Sequence, residues 1–128
     1  MSLTILILES YEAFGDVLGE LLESWGYHAY VTRNVDEAER QLQADSSIQV
    51  ALVEDDMRKG IDGVAAVRRL KSIRSDAYFF LNAVIMEDPP ERGIAMAGVE
   101  GIWSKGETAK MKENFKVLDE HLNPDSSF

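Results

Sequence analysis

The stretch Val50–Gly63, VALVEDDMRKGIDG, joins an apolar run to a cluster of acids and a loop that contains glycine. Its beginning belongs to Ile48–Val53 (IQVALV), which is predicted as a strand. Three acidic residues, Glu54–Asp56, follow the apolar run. The next segment, Arg58–Gly63 (RKGIDG), is predicted as a loop because of its two glycines, and a helix is expected from Val64 to Ile73.

The same alternation of strand and helix continues outward in both directions. Thr4–Leu8 (TILIL) is too short for a helix and rich in branched residues, so it predicts a strand buried on both faces. Asn34, with Glu37 three residues later, is predicted to form a capping box at a helix start. The predicted strands are Thr4–Leu8, Tyr27–Thr32, Ile48–Val53, Ala77–Leu81 and Gly101–Ser104. The predicted helices are about Tyr11–Trp25, the segment capped by Asn34, Val64–Ile73, about Pro89–Met96, and about Glu107–Leu122.

This alternation predicts an α/β fold in one domain. Five strands separated by five helices indicate a doubly wound parallel sheet with right-handed crossovers. At this length the flavodoxin-like strand order 2-1-3-4-5 is the expected form. We expect the domain to span residues 3–122 and residues 123–128 to form a frayed tail.

Composition and charge exclude several classes of protein. The 128 residues include 13 basic and 23 acidic ones, a net charge of −10, which disfavours direct binding to nucleic acid or to an anionic membrane. The absence of cysteine excludes disulfides, thiol catalysis and Cys-ligated zinc. No apolar run approaches the roughly 20 residues that span a bilayer, and no signal peptide is evident, so we expect a cytoplasmic protein.

Polar residues follow four of the predicted strands. Because the carboxyl ends of parallel strands meet at one edge of a sheet, we expect these residues to converge there. Crowded carboxylates need a cation, and oxygen ligands favour Mg²⁺. A carboxylate beside a divalent ion and a lysine could act as a nucleophile toward a phosphoryl donor. The alternative is a solvated acidic loop with an incidental lysine ion pair. The residues concerned are Glu9–Ser10, Glu54–Asp56, Asn82 and Ser104–Lys105.

Two stretches carry a family resemblance that covers about Leu3–Leu122. In VALVEDDMRKGIDG an aspartate, Asp55, precedes the Asp62–Gly63 turn by seven residues. The second stretch, AMAGVEGIWSK, ends in a lysine, Lys105. Together they make the chain similar to the receiver (CheY-like) domain of two-component response regulators.

The resemblance implies a role for each matching position. It makes Asp55 the phosphoacceptor and makes Lys105 and Asn82 the phosphoryl-contacting residues. It implies a switch surface at Ile102 and Trp103. It also implies a Mg²⁺ site formed by Glu9, Ser10, Asp55 and the backbone carbonyl of Met57.

Three of these positions depart from the family pattern. Ser10 replaces the second acid after the first strand, Asn82 replaces a threonine or serine, and Ile102 replaces the switching aromatic. Strand alternation predicts that Glu54 and Asp56 both point away from the face used by Asp55, so we do not expect either to replace the acid missing at Ser10.

Two functions remain open on this resemblance. One is a signalling receiver that accepts a phosphoryl group on Asp55 from a histidine kinase or phosphotransfer protein and then switches partner binding. The other is a degenerate receiver that binds partners without phosphate. The output would be a further domain of a longer chain, a separate target protein or a homodimer. We do not expect an enzyme, since Met57 stands where aspartyl-nucleophile phosphatases have a second aspartate.

Overall fold

The computed structural model describes residues 2–56, 60–83 and 98–124. Within these ranges the chain forms five strands and four helices. The predicted helix between Pro89 and Met96 lies outside the described residues. The strands are β1 (Thr4–Leu8), β2 (His28–Thr32), β3 (Val50–Asp55), β4 (Tyr78–Ala83) and β5 (Val99–Ser104). The helices are α1 (Glu12–Ser24), α2 (Val35–Ala44), α3 (Gly63–Lys71) and α4 (Thr108–Leu122).

All five strands are parallel and lie in the order β2-β1-β3-β4-β5, which confirms the predicted topology. The central strands are buried on both faces because helices cover the sheet from both sides. One face packs against α2 and α3, and its core includes Leu6, Val53 and Leu81. The other packs against α1 and α4, and its core includes Leu52 and Phe115.

Two strands, β3 and β4, extend further toward their carboxyl ends than the apolar runs predicted. The ladder between β3 and β4 continues through the pairs Glu54↔Asn82 and Asp55↔Ala83. β3 therefore begins at Val50 and ends at Asp55, instead of spanning Ile48–Val53. The backbone of these polar residues is held by strand pairing, which gives each side chain a definite face of the sheet.

Local signals set several element boundaries. Half of the predicted capping box at the start of α2 is present, since Asn34 Oδ1 accepts from the Glu37 amide at 2.9 Å. The Glu37 carboxylate accepts instead from the amide of Arg33, one residue before the cap, at 2.7 Å. α1 is followed by Gly26 with φ +92°, the left-handed conformation that glycine adopts easily. None of the helices in the described part of the chain combines the length and apolar character needed to cross a membrane.

One arginine joins the loops at the amino edge of the sheet. Arg74 donates to the backbone carbonyls of Leu42, Asp45, Ser46 and Ile48 at 2.7 to 3.5 Å. Its side chain also pairs with Asp76 at 3.0 Å and is 15% exposed. A single guanidinium thus ties the segment before β4 to the segment before β3.

Candidate functional site

A row of side chains crosses the carboxyl edge of the sheet on the face covered by α1 and α4. Glu54 continues the side of β3 that carries Leu52, and the strand register places it beside Asn82. Asn82 is in turn level with Trp103 on β5. Glu9 follows the β1–β3 pair Leu8↔Val53 by one residue, as Glu54 does on β3, so the two carboxylates are neighbours.

Lys105 joins the two carboxylates of this row. Its Nζ lies 2.7 Å from Glu9 Oε1 and 3.2 Å from Glu54 Oε1. Both glutamate side chains are almost fully buried, and the lysine side chain is 14% exposed. Nζ also lies 5.0 Å from the centroid of the Phe14 ring of α1. We call Glu9, Glu54 and Lys105 the ion cluster.

The remaining oxygens of the ion cluster bind backbone amides of the β1–α1 turn. Glu54 Oε2 accepts from the Ser10 amide at 2.9 Å, and Glu9 Oε2 accepts from the Tyr11 amide at 3.0 Å. The Glu54 carboxylate therefore links the β1–α1 turn both to β3, from which Glu54 extends, and to Lys105. Ser10 contributes its backbone to the site, while the residue as a whole is exposed.

The two carboxylates differ in how readily they ionise. Burial, and then the hydrogen bond with Glu54, raise the pKa of Glu9 above its ordinary value. Burial opposes ionisation of Glu54 as well, but hydrogen bonds from Glu9 and Ser10 and the charge of Lys105 lower its pKa overall. Burial similarly disfavours the charged lysine, yet the two glutamates raise the pKa of Lys105. Negative charge is therefore held more firmly on Glu54 than on Glu9.

Asp55 lies on the opposite face of β3 from the ion cluster. Asp55 lies two residues after Val53 and so on the same side of β3, and the Val53 side chain belongs to the core under α2 and α3. Asp55 Oδ1 accepts from the Gly63 amide, the first residue of α3, at 2.8 Å, and the residue is 7% exposed. A Cβ at position 63 would lie 2.6 Å from the Glu54 carbonyl oxygen, so only glycine allows α3 to approach β3 this closely.

The other predicted site residues fall on both faces. Asn82 is 2% exposed, and its Oδ1 has no hydrogen-bond partner among the described residues. Trp103 packs on the α1–α4 face, with its ring centroid 4.7 Å from those of Phe80 and Phe115. Ile102 packs on the α2–α3 face. Met57 lies outside the described residues.

The described donors do not suit a magnesium ion in this arrangement. Glu9 and Glu54 share the ammonium of Lys105, and Asp55 binds the amide of Gly63 on the other face. Across residues 2–56, 60–83 and 98–124, no three acidic, histidine or cysteine side chains are grouped so that they could hold a metal ion. Mg²⁺ prefers several oxygens in near-octahedral geometry, and these carboxylates do not offer such a set.

The sequence analysis placed Glu54 at the carboxyl edge but gave it no role in the site. As strand alternation predicts, the Glu54 side chain points away from the face used by Asp55. The same alternation places it on the face that Glu9 and Lys105 use. Counting two residues forward from Ile7 and from Leu52, which share one core, would have paired Glu9 with Glu54.

Comparison with known proteins defines the fold. No protein-family model and no curated protein matches the sequence. Solved structures do match, over most of the chain. A CheY-like response regulator receiver domain protein from Methanospirillum hungatei JF-1 is 16% identical with a TM-score of 0.81, covering 98% of this chain and 99% of its own.

Two further structures give the same result. The signal receiver domain of a DNA binding response regulator from Colwellia psychrerythraea 34H is 24% identical, with a TM-score of 0.76 and coverage of 92% of this chain and 98% of its own. The response regulator protein TrrA from Thermotoga maritima, solved in complex with Mg²⁺ and BeF, is 19% identical, with a TM-score of 0.76 and coverage of 91% and 98%. The chain therefore has the fold of response regulator receiver domains, as predicted.

Proposed function

We propose that the chain is a signalling domain built on the receiver fold that acts by binding a partner protein and does not require a phosphoryl group. The observation that supports this most directly is the ion cluster, in which the Lys105 ammonium already has two buried carboxylates as partners. An output domain of a longer chain, a separate target or a second copy of this chain would be the partner.

The energetics of the ion cluster support the same proposal. Breaking a buried ion pair typically costs about 3–5 kcal/mol, because a charge is left without compensation. An incoming phosphoryl group would have to draw Lys105 away from Glu9 and Glu54. Phosphoryl binding is therefore disfavoured in the described arrangement.

The test is an amide NMR titration of the full chain, first with Mg²⁺ and then with BeF₃⁻ as a phosphoryl mimic. We expect the amides of Ser10, Gly63 and Lys105 to move no more than in a matched titration with KCl and NaF. Saturable shifts centred on these amides at millimolar Mg²⁺ would overturn the proposal.

A second candidate is phosphoryl acceptance on Asp55 from a histidine kinase or phosphotransfer protein. The hydrogen bond from the Gly63 amide favours it, because an amide at a helix start can stabilise negative charge on the carboxyl group. In this case Glu9, Asp55 and the Met57 carbonyl would hold Mg²⁺, with Ser10 beside them. Lys105 and Asn82 would contact the phosphoryl group.

The second candidate has its own assay. Under it, acetyl phosphate with Mg²⁺ would add the mass of one phosphoryl group to the intact protein, and Asp55→Asn would abolish the gain. Under our proposal neither protein gains mass. The Ile102 and Trp103 amides, which belong to the predicted switch surface, would report whether any phosphorylation reaches β5.

A further inference from the structure

Glu54 connects three parts of the molecule that are distant in sequence. One carboxylate oxygen contacts Lys105 after β5, and the other accepts from the Ser10 amide after β1. The side chain itself extends from β3, whose backbone is paired with β4 at Glu54↔Asn82. A displacement of this carboxylate would therefore alter contacts at two other strand ends.

We propose that Glu54 is a positioning residue that serves as the internal anion of Lys105 and fixes both Lys105 and the β1–α1 turn in one arrangement without an external ligand. This inference rests on the proposed function and adds to it how the site is regulated. The site would be permanently supplied with the negative charge that Lys105 requires. Partner binding would then depend on one constant arrangement of this edge.

Glu54 suits this role better than the other carboxylates of the edge. Asp55 faces the other core and binds the start of α3. Glu9 contacts Lys105 as well, but its second oxygen binds the Tyr11 amide, only two residues away in its own turn. Glu54 differs from Glu9 in that its contacts join three separate segments, namely β3, the β1–α1 turn and the end of β5.

The register offers a path from Glu54 to the outer strand. Glu54, Asn82 and Trp103 are consecutive members of one row, and Lys105 follows Trp103 by two residues. The Lys105 amide also donates to the Ala83 carbonyl at 2.8 Å, which holds the end of β5 against β4. The indole of Trp103, packed on Phe115 of α4, should report a change in Lys105.

The test compares two isosteric substitutions on the full chain, Glu54→Gln and Asp55→Asn, in a Trp25→Phe background that leaves Trp103 as the only indole. Hydrogen exchange of the Ser10 amide is followed by NMR. Loss of a charge-assisted hydrogen bond should accelerate it about tenfold in Glu54→Gln. The Trp103 indole resonance and emission maximum should move in the same variant.

The control variant should give the complementary pattern. Asp55→Asn should accelerate exchange of Gly63, which loses its bond to the Asp55 carboxylate, and should leave Ser10 and Trp103 within about twofold of the parent. Glu54→Asp keeps the charge on a shorter side chain and should restore most of the Ser10 protection. If Glu54→Gln does not fold, the test is the Ser10 exchange rate in Glu54→Asp, which should stay close to that of the parent.

Three results would overturn the inference. Ser10 and Trp103 could remain unchanged in Glu54→Gln, both isosteric variants could loosen the same amides, or Glu54→Asp could fail to restore Ser10 protection. The parent titrated with Mg²⁺ and BeF₃⁻ separates this inference from the proposed function. A saturable response in the parent refutes the proposed independence of phosphate. The role of Glu54 is judged only from the hydrogen exchange and Trp103 signals of the Glu54 and Asp55 variants.

Discussion

Two cationic side chains of nearly equal burial lie at opposite edges of the sheet and bind different kinds of group. Arg74 at the amino edge is 15% exposed, and Lys105 at the carboxyl edge is 14% exposed. Arg74 binds four backbone carbonyls and one exposed carboxylate, that of Asp76, whereas Lys105 binds two buried carboxylates. Carbonyls cannot change charge or leave the backbone, but carboxylates can take up a proton and change rotamer. The comparison indicates a structural clamp at the amino edge and, at the carboxyl edge, an ion cluster whose contacts depend on the ionisation of its carboxylates.

The largest effect should follow from removing the clamp. Arg74→Met leaves backbone carbonyls before β3 without their donor, two of them in the buried residues Leu42 and Ile48. We expect a loss of about 3 kcal/mol in the free energy of unfolding, measured by urea denaturation. Arg69→Met is the matched control, since Arg69 is half exposed in its pairs with Asp36 and Glu39. Its urea midpoint should stay close to that of the parent, because exposed ion pairs add little stability.

Lys105→Met should cost less, about 2 kcal/mol at pH 7. The two glutamates would lose their cation, but a carboxyl group can take up a proton and so relieve part of the penalty. The loss should therefore shrink when unfolding is repeated at about pH 5. A loss that equals that of Arg74→Met and is independent of pH would contradict the contrast between the two edges.

The next prediction concerns the two glutamates of the ion cluster. A carboxyl with a raised folded pKa, as at Glu9, adds stability as pH falls through that pKa. One with a lowered pKa, as at Glu54, adds stability above its unfolded value, near 4.5, and loses it at lower pH. Glu54→Gln should therefore be about 1 kcal/mol less stable than Glu9→Gln at pH 7.

The pH trend of these two variants provides the check. Relative to the parent, the deficit of Glu9→Gln should grow as pH falls from 7 toward 4.5. The deficit of Glu54→Gln should stay constant over this range and shrink only below about pH 4.5. Urea midpoints measured across this range distinguish the two. Parallel curves would show that Glu54 and Glu9 share the charge equally, contrary to the opposite directions of their pKa shifts.

The smallest effect is expected at Asp45, away from the ion cluster. Hydrogen bonds from Ser47 and then Tyr30 lower the pKa of Asp45 to about 2. Its contribution is present above the ordinary value of 3.8 and is lost as pH falls from there to about 2. Asp45→Asn should be slightly less stable than the parent at pH 7, and thermal melts should coincide near pH 2.

The strands, helices and strand order could be predicted because they depend on patterns within short, continuous stretches of sequence. Apolar runs of five or six residues separated by amphipathic segments determine a parallel sheet, and the strand order follows from the usual solution at this length. The hydrogen bond from the Glu37 amide to the Asn34 side chain involves neighbours in sequence, so it was predictable as well. The ends of β3 and β4 were not, because polar residues continue the ladder beyond Val53 and Leu81.

The residues at the site could be predicted from the sequence, but which of them contact one another could not. Alternation along β3 shows that Glu54 and Asp55 face opposite ways, but it does not reveal which face Lys105 adopts. That choice depends on how β5 is aligned against β4, where the register shifts between Phe79 and Phe80. A one-residue irregularity of this kind has no local signature and decides which acid the lysine meets.

Gly63 has a consequence for how this chain tolerates sequence change. Any side chain there would collide with the Glu54 carbonyl, the Leu81 side chain and the Asp55 Cβ, all within 2.9 Å of the position that its Cβ would take. Three neighbours from two strands would have to move together, so no single second substitution can compensate. In a saturation library selected for folding, position 63 should keep glycine alone, while the exposed neighbour Ala65 should accept most residues.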